Sequence, residues 1–370
     1  MPFGWTAPME GMTLFANILP MPPVKVVRVG IAGTGRIVPA HIEAIRDVGG
    51  EVVAIAGSDW RRASEVAARH RVTRGCSVAE IVSDPEIDVV HVAGRNVDHV
   101  PIALAAAAAG KHVVVEKPLA FTARESARIE SEVAAAGLCG MTCFTYLGHG
   151  AVAAARELVA AGEVGPVVLV RGHYLQDWLA LESDDDWRCD PDLNGPSRAL
   201  ADIGTHWFAL LEHITGQEVV AVRAEMERPV RRAVTAARPS EPGGDDLAVV
   251  SLRLEGGAIA SCVVSQLSHG HRNDILIEVT GRSGSVSWSS EWPGELATAA
   301  RSGADRVRDV QVVGEDRLPL AALLENFYAA VTGATSPGWY PPLSLGVRAA
   351  AFVDASLQSA VSGEWVSLAP

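Results

Sequence analysis

Between Val24 and Ala56 the chain reads as a strand, a glycine turn, a helix and a second strand. Val-Lys-Val-Val-Arg-Val-Gly-Ile, ending at Ile31, is a β-branched run suited to a buried strand of a parallel sheet. Gly33-Thr34-Gly35-Arg36-Ile37-Val38 follows, then a helical pattern through His41, Ile42 and Ile45 that closes at Gly49-Gly50, then the strand Glu51 to Ala56. This is the context in which a Gly-x-Gly turn binds a dinucleotide. Gly33 permits the tight turn. Gly35 lets a pyrophosphate approach the backbone at the helix N-terminus, where free N–H groups and the dipole favour anions. Thr34, Arg36 and Ile37 complete the turn as candidate cofactor contacts, and Val38 stands where the pattern has its third glycine.

The alternation continues with a helix at 61–70, a strand at 87–93, a helix at 98–109 and the strand Lys111 to Val115. Repeated units of this length imply a doubly wound parallel sheet of α/β class over residues 24–143. Such sheets bind ligands at the carboxyl ends of their strands. Gly33, Gly94–Asn96 and Glu116–Lys117 all fall at such ends, so the motifs converge on one edge. At the end of the second strand an NAD site places an acidic residue for the ribose 2′-hydroxyl. Here the sequence is Gly57-Ser58-Asp59-Trp60-Arg61-Arg62. With Gly57 in the acidic position, Ser58 and Arg62 would receive a 2′-phosphate; with Asp59 reaching back, NAD fits. The reading favours NADP.

Only three of the 31 basic residues are lysines, and Lys117 closes an apolar strand within Glu116-Lys117-Pro118. A lysine that persists in an arginine background suits a task guanidinium cannot do, because ammonium is compact and can lose its proton. The net charge of −13 argues against nucleic acid or an anionic membrane as partner. Five cysteines with no CxxC pair fit a reduced, cytoplasmic interior and no zinc site. Residues 1–23 read as an arm and do not resemble a secretory signal. No apolar stretch is long enough to span a bilayer.

From 144 to 370 the pattern changes. A helix at 151–161 and the strand Pro166 to Leu175 precede extended runs at 217–227, 246–255, 257–267 and 274–280, joined by short turns. Such hairpins imply an antiparallel sheet. The segment 228–245 reads as a loop, and 319–333 and 344–361 as packing helices that can return to the first domain. Asp202 and His206, four apart, would stack on one helix face, where a carboxylate can fix an imidazole tautomer and raise its basicity. Trp178, Trp187 and Trp207 are candidates either for a sugar-facing wall or for core. Asp184-Asp185-Asp186 reads as a solvated loop, and His269-Gly-His271 as two histidines without a third metal ligand.

Gly33-Thr-Gly35-Arg-Ile with His41 behind it, Ala109 to Pro118 and Gly195…Asp202-Ile-Gly-Thr-His206 occur in the order and spacing of the Gfo/Idh/MocA oxidoreductases, which the chain resembles from about Val24 onward. The resemblance implies an N-terminal Rossmann domain and a C-terminal α/β domain with a large, mostly antiparallel open sheet. It implies hydride transfer between NAD(P) and a ring hydroxyl of a sugar, inositol or related polyol, and a homodimer or homotetramer. Lys117, Asp202 and His206 match the family's catalytic residues, and Asn96, His99 and Glu116 its cofactor side. Tyr146 matches the first residue of a Tyr-Arg pair, but Leu147 replaces the arginine, which removes a cation and puts acidic substrates in doubt. Gln176, Trp178, Trp187 and Arg188 fall on the implied substrate wall. Two other functions stay open: an NAD-dependent glycosidase using transient oxidation and elimination, and a non-catalytic dinucleotide sensor.

Overall fold

A computed structural model of the chain describes residues 26–230, 244–302, 305–314, 317–335 and 338–368. The arm 1–23 lies outside these residues, as does most of the expected loop 228–245. The first half builds six strands, β1 (Arg28–Ala32), β2 (Glu51–Ala56), β3 (Arg74–Cys76), β4 (Val89–Val92), β5 (His112–Val115) and β6 (Gly140–Thr142). All pair in parallel in the order β3-β2-β1-β4-β5-β6. Between them run α1 (Val38–Asp47), α2 (Trp60–Arg69), α3 (Val78–Ser83), α4 (Asn96–Ala108) and α5 (Ala123–Ala135). Strand order reverses between β1 and β4, the crevice where such sheets bind ligands. The unanticipated β3 and α3 are short, but Ser77 and Glu80 form a capping box that marks the start of α3.

The second half contains α6 (Gly150–Ala160), β7 (Val167–Leu175), α7 (Pro191–Asn194), α8 (Thr205–Thr215) and β8 (Val219–Glu227). It continues with β9 (Leu247–Leu254), β10 (Ile259–Ser265), β11 (Asp274–Gly281), β12 (Gly284–Ser289), β13 (Glu295–Ser302), β14 (Asp305–Val312), α9 (Pro319–Val331), α10 (Leu343–Ser362) and β15 (Val366–Ser367). The nine-stranded sheet runs β14-β13-β12-β11-β7-β10-β9-β8-β15. Every neighbouring pair is antiparallel except β7 with β10. Alternation along β9 and β10 sends Val250, Leu252, Ala260 and Cys262 inward, where Phe208 and Leu211 of α8 and Phe352 of α10 cover them. The valine, leucine and phenylalanine side chains among them each contribute about 1.5–3 kcal/mol on burial. Helix α9 packs elsewhere: Leu320, Leu324, Phe327 and Tyr328 join the core beneath β1 and α1.

The helix expected through Asp202 and His206 forms, but it opens on a π turn over Leu200–Gly204 that leads into α8, and residues 195–198 ahead of it are non-helical. The turn is held from outside the segment. Asp245 accepts from the backbone N–H groups of Arg198 (2.9 Å) and Leu200 (2.8 Å) and from the Ser197 hydroxyl (2.8 Å).

Candidate active site

The glycine turn joins β1 to α1 at the strand-order reversal. A Cβ on Gly33 would run into the carbonyl of Ala93 beyond β4, so only glycine lets the two strand ends close up. At Gly35 a Cβ would meet nothing within 4 Å, so the space beside this backbone is open. Ile37 leaves the start of α1 without a side-chain cap, and no acidic residue stands in its first turn. Open space at the uncapped start of a helix fits a dinucleotide pyrophosphate, although the Val38 N–H already donates to the Gly35 carbonyl at 3.2 Å and Pro39 has no N–H. Val38, in the third glycine position, is buried in the core.

At the end of β2 a side chain at Gly57 would press on Thr34, which explains the absence of an acidic residue there. Ser58 and Arg62 are exposed, while Asp59 caps α2 by accepting from the N–H of Arg61 at 2.9 Å. On the other side of the crevice Asn96 donates to Asn194 Oδ1 at 2.9 Å, which ties α4 to α7. His99 is fully enclosed and bonds the Pro118 carbonyl at 2.8 Å. It therefore has no surface for a cofactor, contrary to expectation, and instead supports the loop after Lys117.

Lys117, leaving β5, reaches across to the π turn. Its Nζ donates to the backbone oxygen of Asp202 at 2.7 Å and to Oδ1 at 2.8 Å. Asp202 Oδ2 accepts from Gln266 at 3.1 Å, and Arg188 Nε lies 3.4 Å from Oδ1. Burial works to raise the Asp202 pKa, but the charges of Lys117 and Arg188 outweigh it and hold the carboxyl well below the usual range. The expected contact between Asp202 and the imidazole is not formed. The carboxylate is occupied by these donors, and His206 Nδ1 has no hydrogen-bond partner. Burial, reinforced by the charge of Lys117, pushes His206 down to about 3, so the ring is neutral. The Tyr146 ring meets it edge-on at 4.9 Å.

Glu116 is the end of a buried polar chain. It lies 3.0 Å from His41 Nε2, His41 Nδ1 is 2.9 Å from His91 Nδ1, and His91 Nε2 is 3.0 Å from the Tyr328 hydroxyl. His41, Glu116 and Cys143 are the one group of three possible metal donors among the described residues, with donor atoms within 4.8 Å of one another. Their hydrogen-bonding capacity is already used within the chain.

The cluster opens on a cavity of about 280 Å³ lined by Arg36, Lys117, Tyr174, Gln176, Trp178, Arg188, Asp202, Ile203 and His206. Gln176 and Trp178 both line this cavity and are linked by a 2.6 Å bond from Trp178 Nε1 to Gln176 Oε1. Trp187 lies under the Arg188 guanidinium at 4.6 Å rather than on the wall. Tyr146 also stands behind the wall, bonded to Tyr174 at 2.9 Å. Trp207 is core, donating to the Leu276 carbonyl at 3.0 Å.

Leu147 packs in the core of the second half, and Arg36, Lys117 and Arg188 face the cavity. One reading of the sequence needs correction. Asp186 is not merely solvated: it binds Arg188 at 3.1 Å and Arg36 at 3.4 Å, joining the glycine turn to the second half. Tyr174, Ile203 and Gln266 escaped the sequence reading. Tyr174 lies near the end of β7, two residues before Gln176, while Gln266 follows a strand with no motif around it.

Fold and cluster together define a dinucleotide-binding oxidoreductase. The chain belongs to the GFO/IDH/MocA family: residues 27–143 match the oxidoreductase family's NAD-binding Rossmann fold, and residues 152–287 its C-terminal domain. It is a dehydrogenase of the kind that acts on CH–OH groups. Levoglucosan dehydrogenase of Pseudarthrobacter phenanthrenivorans is 33% identical over 78% of this chain and 82% of its own. D-xylose 1-dehydrogenase (NADP(+)) 2 of Haloferax volcanii is 33% identical over 62% of this chain and 67% of its own. A levoglucosan dehydrogenase structure in complex with NADH and levoglucosan superimposes with a TM-score of 0.87 and 28% identity, covering 94% of this chain and all (100%) of that one. No helix among the described residues is long and apolar enough to cross a membrane.

Proposed function

We propose that the protein interconverts a ring hydroxyl and a ketone on a sugar, anhydrosugar or cyclic polyol, with NADP(H) preferred over NAD(H). The observation that carries this reading is the opening of Lys117, Asp202 and His206 together onto a polar cavity that the Arg36 turn also reaches. Hydride exchange is the chemistry the nicotinamide supplies when bound. In the oxidative direction the neutral His206 ring takes the hydroxyl proton, and Lys117 Nζ donates to the same oxygen as charge develops there. Asp202 acts through Lys117, holding its ammonium at the mouth of the cavity. Gln176 and Arg188 offer donors to further hydroxyls, and the Trp178 face suits a C–H-rich ring. Gly57, Ser58 and the nearby arginines support the NADP preference, as does the NADP-named xylose relative. A homodimer or homotetramer is the assembly we infer.

Levoglucosan, myo-inositol and D-xylose, each offered with NADP+ and NAD+, test this reading in parallel with Lys117→Ala. The expected result is turnover of a member of this panel by the wild type and a loss of about 10³-fold or more in the variant, with NADPH binding retained. Near-normal turnover in the variant would remove Lys117 from the chemistry.

A further inference from the structure

A buried arginine stands behind the cluster. Arg198 has no exposed surface, pairs with Asp246, and donates from Nε to Oε1 of Gln266 at 3.1 Å. A guanidinium has donors and no acceptor, so the oxygen of the Gln266 amide must face it. The amide nitrogen is then directed the other way, where it lies 3.1 Å from Oδ2 of Asp202. An amide nitrogen only donates, so the atom it meets must accept. Oδ1 of the same carboxylate takes the Lys117 ammonium, a second donor. Gln266 is fully buried just past the end of β10, its backbone N–H donates to the Asp246 carbonyl at 3.0 Å, and inverting its amide would set an NH2 group against the Arg198 donors.

We propose that Gln266, its amide orientation set by Arg198, is a positioning residue that keeps Asp202 an acceptor and aims its other oxygen at Lys117. The inference rests on the oxidoreductase reading of this cluster. Besides Gln266, the groups facing Asp202 are Lys117 and Arg188 in direct contact, with His206, Arg198, Tyr146 and Tyr174 within electrostatic reach. No carboxylate is among these groups. Gln266→Glu, nearly the same shape, would place one there: one oxygen still accepts from Arg198, and the other meets Asp202 Oδ2. Two acceptors share that contact only through a proton.

Difference infrared spectroscopy on the full-length protein at neutral pH reads that proton directly. The expected result is a protonated-carboxyl C=O band in Gln266→Glu that is absent from the wild type and from Gln266→Glu/Asp202→Asn. A Gln266→Glu protein that folds and shows no such band overturns the proposal. Neutron diffraction from wild-type crystals needs no variant. Deuterons on Gln266 Nε2 with none on Asp202 Oδ2 support the assignment, and an inverted amide or a deuterated carboxyl overturns it. Failure of the wild type to bind either NADPH or NADH would instead strike at the oxidoreductase reading and leave these hydrogen positions as they are.

Discussion

At the scale of single residues, burial holds down the pKa of histidines both in the site and elsewhere in the fold. His206 and His213 are pushed to about 3, and burial also lowers His91 and His99. In the unfolded chain each would titrate near its ordinary value of about 6.5. Below that pH the unfolded state takes up protons that the folded state refuses, so stability falls as pH drops below about 6.5, and for His206 and His213 the loss continues towards 3 at about 1 kcal/mol per pH unit each. Asp202 acts in the same direction at lower pH, because its depressed pKa stabilises the fold above the unfolded carboxylate value and is lost on acidification. Urea unfolding across pH 7 to 5 should show the decline, and His213→Gln should reduce its slope by about one histidine's share. An identical slope in that variant would contradict the assignment. Lys117, Asp202 and His206 were legible because rare residues stood in recognisable spacing. Arg198 and Gln266 were not, because their meaning lies in contacts 64 to 68 residues apart in the chain.

At the scale of elements, the first sheet was readable because buried parallel strands are continuous apolar runs and glycine turns punctuate them. What resisted was structure fixed from a distance. The π turn at Leu200–Gly204 depends on Asp245, whose role no local pattern announces. Strands β12 to β14 lie beyond the runs the sequence displayed, with β14 exposed along its length. The turn between β1 and α1 carries the sharpest prediction at this scale. Gly33→Ala would drive a methyl group into the Ala93 backbone, which cannot yield as a side chain can. Its cost is expected to be about 1–3 kcal/mol of stability, together with at least a tenfold loss of NADPH affinity, read by thermal unfolding and by energy transfer from tryptophan to nicotinamide. Wild-type affinity in this variant would mean that the cofactor does not rest on this turn.

At the scale of the whole molecule, one face of the nine-stranded sheet is bare. Val249 and Val263 are cross-strand neighbours on it, Ile259 lies further along β10, and all three are largely exposed. Apolar side chains at such a density suit burial against another copy. Sedimentation velocity should therefore show a dimer or tetramer at micromolar concentration, and Val263→Arg should shift it towards smaller species; a monomeric wild type would refute the assembly. A different consequence follows from Arg36, whose side chain is 83% exposed and held by Asp186. That single guanidinium belongs to the turn where a pyrophosphate would rest and also to the wall of the substrate cavity. An anion arriving at the turn competes with Asp186 for it, so filling one compartment alters the charge lining the other. Binding at the turn and binding in the cavity are therefore coupled, each changing the affinity of the other by the same factor.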